Sequence, residues 1–170
     1  MPAAETRPEP PLQADERTSL AAWLDYHRAT LLLKCEGLDG AQLVRPSMPP
    51  STLTLLGLVR HMHLVEWWWF EHIFAGAPSP EPYDTSEDPD AEFNAAAAEG
   101  AGDDMTAFRD QCARSRVIVA EADSLDVLSV SSDRETRDLR WILVHMIEEY
   151  ARHNGHADLL RQSIDGEVGE

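Results

Sequence analysis

The sequence predicts an all-α fold, a four-helix bundle with long crossover connections. Two observations carry this prediction. The eleven prolines fall in three groups, within residues 2–11, 46–50 and 78–89, and proline is excluded from helix interiors. Between and after these groups, apolar residues recur at spacings of three and four, which is typical of amphipathic helices, whereas only the run LDVLSV gives a weak hint of a strand.

The first two predicted helices flank the proline-rich connector RPSMPPS. The first spans residues 15–36 and ends at Gly37 and Gly40, and the second spans residues 52–74 and ends at Gly76. The apolar stripe of the first helix contains Leu20, Leu24, His27, Leu31 and Cys35. The matching face of the second helix contains Leu58, His61, Leu64, Val65 and Trp68. Each stripe therefore includes one histidine among apolar residues.

An acidic loop, residues 78–103, is predicted to separate the second helix from the third. Nine acids and no Lys or Arg lie between Glu81 and Asp104, so we expect this segment to be mostly solvated, with a short helix around the run AAAA. The third helix spans residues 104–122 and is expected to bury Met105, Phe108, Cys112 and Val119. The fourth spans residues 136–164, with Ser132 or Thr136 capping its start and Gly166 stopping it.

Length and composition predict one domain. A chain of 170 residues with 43% hydrophobic residues can bury one sizeable core and has little room for a second domain. We expect residues 14–166 to form the bundle, acidic loop included. Residues 1–13 are expected to be a disordered N-terminal tail, and residues 167–170 a short C-terminal tail.

The charge and the cysteines restrict partners and location. The net charge of −17 argues against a nucleic-acid partner, because phosphate backbones require a basic face. The sequence shows no signal-peptide pattern and no apolar run of about 20 residues, so we expect no membrane partner. Cys35 and Cys112 have no metal-like spacing, which favours free thiols in a reducing cytoplasm.

Two polar residues interrupt the apolar stripe of the fourth helix. Glu149 and His153 each lie about 20° from its centre, four residues apart, so both can reach one ion. His61 supplies a ligand from the second helix, since His63 points about 200° away from it. Two imidazoles and one carboxylate form an open catalytic-type site that suits Zn²⁺ best and also accepts Ni²⁺, Fe²⁺ or Mn²⁺. The alternative is a buried ion pair of Glu149 with an arginine or a protonated histidine.

Other polar residues near this stripe are open to several roles. His145 and His156 lie one turn outside the pair and, with Arg152, are candidates for substrate positioning or proton transfer. His27 is a further ligand, a proton carrier or, as we favour, a core histidine. The side chains of Trp67, Trp68 and Trp69 cannot all point into the core, because successive helical residues are about 100° apart. At least one indole is therefore expected at a pocket mouth or subunit interface.

The runs LLGLVRHMHLVEWWWF and LVHMIEEYARHNGHADLLRQSIDG resemble the DinB-like (damage-inducible) superfamily, in the branch related to mycothiol-dependent maleylpyruvate isomerase domains. The first helix and its connector resemble that branch too. The resemblance implies a four-helix bundle, commonly a homodimer. It also implies a divalent metal held by one residue of the second helix and a Glu and His four apart on the last, which here are His61, Glu149 and His153.

Three functions are consistent with this pattern. The first is a metal-dependent enzyme that activates a low-molecular-weight thiol cosubstrate for S-transfer to a small electrophile, or for its thiol-assisted isomerisation. The second is a hydrolase in which the metal activates water. The third is a non-catalytic metal-binding or sensing dimer. Activity that requires added thiol separates the first from the second.

Overall fold

The computed structural model describes residues 6–131 and 135–169, and within them the protein is a helical bundle. Its helices are α1 (Glu16–Cys35), α2 (Gly40–Leu43), α3 (Leu55–Glu66), a π-helix (Trp67–Phe74), α4 (Ala91–Asn94), a 3₁₀ turn (Ala98–Gly100), α5 (Ala101–Glu121) and α6 (Leu139–Asp165). The long helices pack as α1 against α6 and α3 against α5, and α3 also contacts α6. The all-α bundle prediction is confirmed. The LDVLSV hint corresponds to one isolated bridge between Leu128 and Asp138.

Side-chain caps fix where the long helices begin. Asp15 accepts a hydrogen bond from the Thr18 amide, as the predicted start of α1 requires. The start of α6 is a correction: Asp138 caps it by accepting from the Trp141 amide at 2.7 Å, so Thr136 lies outside the helix. Ser132, the other predicted cap, lies outside the described residues. Gly166 ends α6 with a φ of +85°, as predicted.

Two further boundaries differ from the prediction. The α3 helix begins after Thr54, whose hydroxyl accepts from the Gly57 amide, rather than at residue 52. The α5 helix begins at Ala101, three residues early, directly after the 3₁₀ turn. The short helix predicted around the run AAAA is likewise displaced, since α4 precedes that run. In each case, local capping and turn geometry rather than composition set the boundary.

The second predicted helix is not α-helical throughout. From Trp67 to Phe74 it widens into a π-helix, and the Ala75 amide bonds the Phe70 carbonyl five residues back at 3.0 Å. A π-helix shifts the side chains of the following residues around the axis, and such segments are frequent at functional sites. Here the segment carries Trp69 to the side of α6, where its ring contacts Trp141 at 5.3 Å between centroids.

The buried faces of α3 and α6 are rotated from those predicted. On α3 the fully buried residues include Leu58, Met62 and Glu66, whereas His61 lies on the flank. On α6 the core is centred on Met146 and Tyr150. The largest fully buried side chains of the bundle include Tyr150, Phe70, Phe108, Leu24, Leu31, Leu55 and Leu56. The expectation that Glu149 and His153 lie at the middle of the core face is therefore wrong, since both lie at its edge.

A polar cluster occupies the centre of the bundle. Arg28 of α1 forms a bidentate pair with Glu66 of α3, at 2.7 Å from Nε to Oε1 and 2.8 Å from the terminal nitrogen to Oε2. The Tyr150 hydroxyl donates to Glu66 Oε1 at 2.8 Å. All three side chains are at most 4% exposed. This core polar cluster, Arg28, Glu66 and Tyr150, joins α1, α3 and α6, so a buried ion pair exists, but with Glu66 rather than Glu149.

Within residues 6–131 and 135–169, no helix combines the length and the apolar character that a bilayer crossing requires.

Candidate metal centre

The α3 and α6 helices bring the three predicted ligands together at the edge of the bundle. His61 lies on α3, and Glu149 and His153 lie one turn apart on α6. One ligand atom from each lies within 4.8 Å of the others. His153 Nε2 is 3.5 Å from Glu149 Oε2, and the two imidazole rings meet edge to face with centroids 4.8 Å apart. The three side chains thus converge on one point.

The donor atoms fit a small divalent cation. A tetrahedral zinc ion with bonds of about 2.0–2.1 Å places its ligand atoms about 3.3 Å apart, close to the 3.5 Å between His153 and Glu149. Neutral imidazole and carboxylate are ligands that Zn²⁺, Ni²⁺, Fe²⁺ and Mn²⁺ accept. Three protein ligands leave at least one coordination position for another molecule. The residues present therefore fit a metal of this class.

The three candidate ligands are partly buried at the edge of the bundle. The side chains of His61, Glu149 and His153 are 21%, 18% and 13% exposed. Glu149 has two histidine neighbours, and within the described residues no Arg or Lys forms an ion pair with it. Burial, reinforced by His61, His156 and Arg152, lowers the pKa of His153 to about 4. His153 is accordingly neutral at pH 7, the form in which imidazole binds a metal.

A carboxylate of the acidic loop holds the remaining nitrogen of His61. Glu92 of α4 places Oε1 3.1 Å from His61 Nδ1. Because an ionised carboxylate only accepts hydrogen bonds, this contact requires the proton on Nδ1 and leaves Nε2 with its lone pair for an ion. Phe93 stacks on the same ring, with centroids 4.8 Å apart and an interplanar angle of 24°.

This role of the acidic loop was not predicted from the sequence. Glu92 is only 4% exposed, so the expectation of a mostly solvated loop does not hold at this position. Charge content gave no reason to choose Glu92 among nine acids. The one available signal was Phe93, a large apolar residue within a polar run, which indicates local packing.

The other candidate residues of α6 surround the three ligands. His145 Nε2 lies 3.5 Å from Glu149 Oε1, the oxygen that does not face His153. His156 Nδ1 lies 3.4 Å from His153 Nδ1. Arg152 is 57% exposed and pairs with Glu148, away from the three ligands. Of the three proposed positioning or proton-transfer residues, only the two histidines therefore contact the candidate ligands.

A second group shares Glu149. His145, Glu148 and Glu149 also offer ligand atoms within 4.8 Å of one another, on one helix and with Glu148 exposed. His145 contacts two indoles that also contact each other: its ring stacks on Trp141 at 4.9 Å and meets Trp69 edge to face at 4.8 Å. Of the three consecutive tryptophans, Trp69 thus lies beside Glu149's neighbour His145, and the expectation of an indole at a pocket mouth or subunit interface stays a prediction.

Two other histidines considered as candidates, His27 and His63, lie away from this site. His27 is half-buried, and its carbonyl accepts from Asn154 Nδ2 at 3.0 Å. Burial lowers the pKa of His27. His63 is buried beneath the acidic loop, where its Nδ1 is 3.0 Å from the Tyr83 hydroxyl, and burial lowers its pKa to about 4. Among the described residues, neither belongs to a group of converging ligand atoms.

Comparison with known proteins assigns a family to this arrangement. The family model described as mycothiol-S-transferase matches residues 19–166, which include all four long helices apart from the first turn of α1. No curated protein matches the chain.

Proposed function

The chain belongs to the mycothiol-S-transferase family, which is DinB-like, and we propose that it is a metal-dependent enzyme that transfers a low-molecular-weight thiol, mycothiol or a close analogue, to a small electrophile. The observation that carries the proposal is the convergence of His61, Glu149 and His153 within 4.8 Å, inside the matched region. We infer that these three side chains hold a divalent metal, zinc being the best fit. When bound, such a cation stabilises the deprotonated form of a thiol.

The nucleophilic sulfur has to come from outside the chain. Both cysteines are buried and free. Burial raises the pKa of Cys35 and of Cys112 to about 12, so neither is a thiolate at neutral pH. A family that transfers a thiol and a site lined by two imidazoles and a carboxylate are consistent with a thiol cosubstrate rather than a protein thiol.

The reaction moves one proton and two electron pairs. The thiol loses its S–H proton, and the electron pair left on sulfur forms the new S–C bond. The electron pair of the carbon–leaving-group bond departs with the leaving group, or the π pair of a double bond moves to the neighbouring atom, and the proton is delivered there. We infer that His145 takes up or returns the proton at Nε2, because this atom lies beside Glu149 and the ring packs against both Trp69 and Trp141.

His156 has a supporting position. Its Nδ1 lies against His153 Nδ1, the ring nitrogen opposite the one that faces Glu149. A hydrogen bond at this nitrogen orients the His153 ring and fixes which of its nitrogens is free to bind. We assign His156 to positioning rather than to proton transfer, and we assign no role in the reaction to Arg152.

A thiol panel tests the proposal. Metal-loaded protein is incubated with mycothiol, other small thiols and no thiol, each with a set of electrophiles, and S-conjugates and hydrolysis products are measured by mass spectrometry. We expect conjugates only with thiol present, and loss of turnover in Glu149→Gln. Glu121→Gln is the matched control for charge, because Glu121 is an exposed acid at the end of α5 and belongs to neither group of candidate ligands. Equal turnover in wild type and Glu149→Gln contradicts the proposal, and turnover without thiol indicates the hydrolase alternative.

A further inference from the structure

We propose that Glu92 of the acidic loop is a positioning residue for His61, and that it couples the order of this loop to occupation of the metal centre. This inference rests on the proposed function in one respect, because it takes His61 as a metal ligand. Composition alone predicts that the acidic loop is solvated. The contacts of Glu92 and its neighbours connect this loop to the candidate metal centre.

The burial of Glu92 requires an explanation. Its side chain is 6% exposed, Oε1 contacts His61 Nδ1, and Oε2 is buried with no hydrogen-bond partner. A buried carboxylate oxygen without a partner is destabilising unless positive charge lies nearby. The Arg60 guanidinium, which contacts the Glu92 carbonyl, supplies part of this charge, and a cation bound at the other nitrogen of His61 would add to it through the polarised Nδ1–H bond. Carboxylate, histidine and metal then form the arrangement that orients many metal-binding histidines.

Independent contacts hold Glu92 in place. Arg60 Nε donates to the Glu92 carbonyl at 2.6 Å, while the same guanidinium pairs with Asp104 at 2.9 Å, after the end of the loop. The Arg60 guanidinium also lies 4.2 Å from the centre of the Tyr83 ring. One cation on α3 thus contacts the loop near its beginning, its middle and its end, beside His61 in sequence.

The α3 helix leaves room for this close approach at Gly57. A Cβ there would lie 3.1 Å from Phe93 Cδ1 and 3.0 Å from Thr54 Oγ1, both tighter than ordinary contacts. Phe93 stacks on His61 from this side, while Glu92 contacts the ring at Nδ1. The ring is therefore held by two consecutive loop residues, and Nε2 is left for the ion.

Coupling follows from reciprocity. If loop contacts favour the His61 orientation that binds an ion, the ion must favour the loop conformation that makes those contacts by the same factor. Glu92→Ala is expected to weaken zinc binding about 10- to 100-fold, the usual effect of removing a partner of a metal-bound histidine. Glu92→Gln retains an acceptor for His61 Nδ1–H and is expected to lose less. Glu87→Gln, an exposed acid of the same loop, is the matched control for charge and is expected to bind as wild type.

The experiment combines two readouts on the full chain with zinc alone as the ligand. Zinc affinity is measured by competition with a chromophoric chelator, and hydrogen exchange of residues 81–100 is measured with and without zinc. In wild type and Glu87→Gln, zinc is expected to slow exchange in this segment. In Glu92→Ala, that zinc-dependent protection is expected to disappear. A purely structural role for Glu92 would instead raise exchange equally with and without zinc and leave the affinity unchanged.

Two outcomes overturn the inference, and a third separates it from the proposed function. Zinc affinity of Glu92→Ala equal to wild type overturns it, and so does undiminished zinc-dependent protection in that variant. If Glu92→Ala does not fold, the same two comparisons are made with Glu92→Gln. His61→Ala tests the proposed function itself: loss of zinc in His61→Ala with wild-type behaviour in Glu92→Ala rejects only the positioning role, whereas unchanged zinc binding in His61→Ala rejects the metal centre.

Discussion

The core polar cluster and the candidate metal centre are built on the same two helices, yet their polar groups are satisfied in opposite ways. Glu66 and His61 are five residues apart on α3, and Tyr150 follows Glu149 directly on α6. In the core cluster, Glu66 is fully buried and both oxygens accept hydrogen bonds at 2.8 Å or less. At the candidate metal centre, the Glu149 side chain is partly exposed, and the closest imidazole nitrogens lie 3.5 Å from its oxygens.

This difference indicates which carboxylate stabilises the fold and which one serves the site. A buried acid with a complete set of donors joins helices and has no capacity for another ligand. An acid between two imidazoles, with neither at hydrogen-bond distance, retains that capacity. We therefore expect substitutions in the two regions to separate stability from metal binding.

The largest expected effect is on stability, in the core polar cluster. Glu66→Ala leaves the buried Arg28 with only the partly exposed Asp25 as a charge partner and removes the acceptor of the Tyr150 hydroxyl, so we expect the free energy of unfolding to fall by about 3–5 kcal/mol in urea denaturation. The double replacement Arg28→Met with Glu66→Leu is expected to lose less, because no charge stays unpaired. Arg116→Ala breaks an exposed pair with Asp25 and is expected to change stability by less than about 1 kcal/mol. Equal effects in Glu66→Ala and Arg116→Ala would contradict the structural role.

The next largest effect is on metal affinity. Glu149→Gln removes the one charged ligand, so we expect zinc affinity to fall more than about 100-fold, beyond the range for partners outside the ligand set. Metal-free stability is expected to change by less than about 0.5 kcal/mol, since Glu149 has no close hydrogen bond to lose. Chelator competition and urea denaturation on the same samples check both values. A large loss of stability with unchanged zinc affinity would contradict the assignment of Glu149 to the metal centre rather than to the core.

The pH dependence of the free energy of unfolding is a further test of the comparison. Burial lowers the pKa of His63 from 6.5 to about 4, and that of His153 in the same way. Between these values the unfolded chain binds more protons than the folded one, so the free energy of unfolding of metal-free protein is expected to fall as pH is lowered from about 6.5 to about 4. His63→Gln is expected to flatten this slope, and an unchanged slope would reject the burial effect.

The smallest expected effect distinguishes the two groups that share Glu149. If the ion lies with His61 and His153, His145→Phe keeps the stacked ring and is expected to change zinc affinity less than about tenfold. Conjugate formation is expected to fall in the same variant, because a proton carrier is lost. Zinc affinity that drops further in His145→Phe than in His153→Ala would move the ion to the group formed by His145, Glu148 and Glu149.

The fold was more predictable from sequence than the site's surroundings. Proline positions and apolar spacing located the four long helices, because both depend on local backbone chemistry. Which polar residues are buried could not be predicted from these patterns, because Arg28 rather than His27 lies in the core and Glu149 lies at the edge of the core. Both outcomes depend on how α1, α3 and α6 rotate to pair Arg28 with Glu66, which no single helix determines.

The site itself was predicted as a set of residues, and its assignment as a metal centre stays a proposal. Glu149 and His153 share a helix face at a spacing of four, so their proximity follows from helix geometry. The contact of Glu92 with His61 could not be predicted from the sequence, because it depends on how the acidic loop folds back on α3. The identity of the metal as zinc, a homodimeric state, a cytoplasmic location and the division into tails and one domain stay predictions.

Metal content is the most direct test of the central claim. Protein purified without an affinity tag is analysed for bound metals as wild type, His61→Ala and His153→Ala, with folding checked by circular dichroism. We expect about one equivalent of a divalent metal in the wild type and loss of it in both folded variants. Stoichiometric metal retained in both variants would contradict a centre formed by His61, Glu149 and His153.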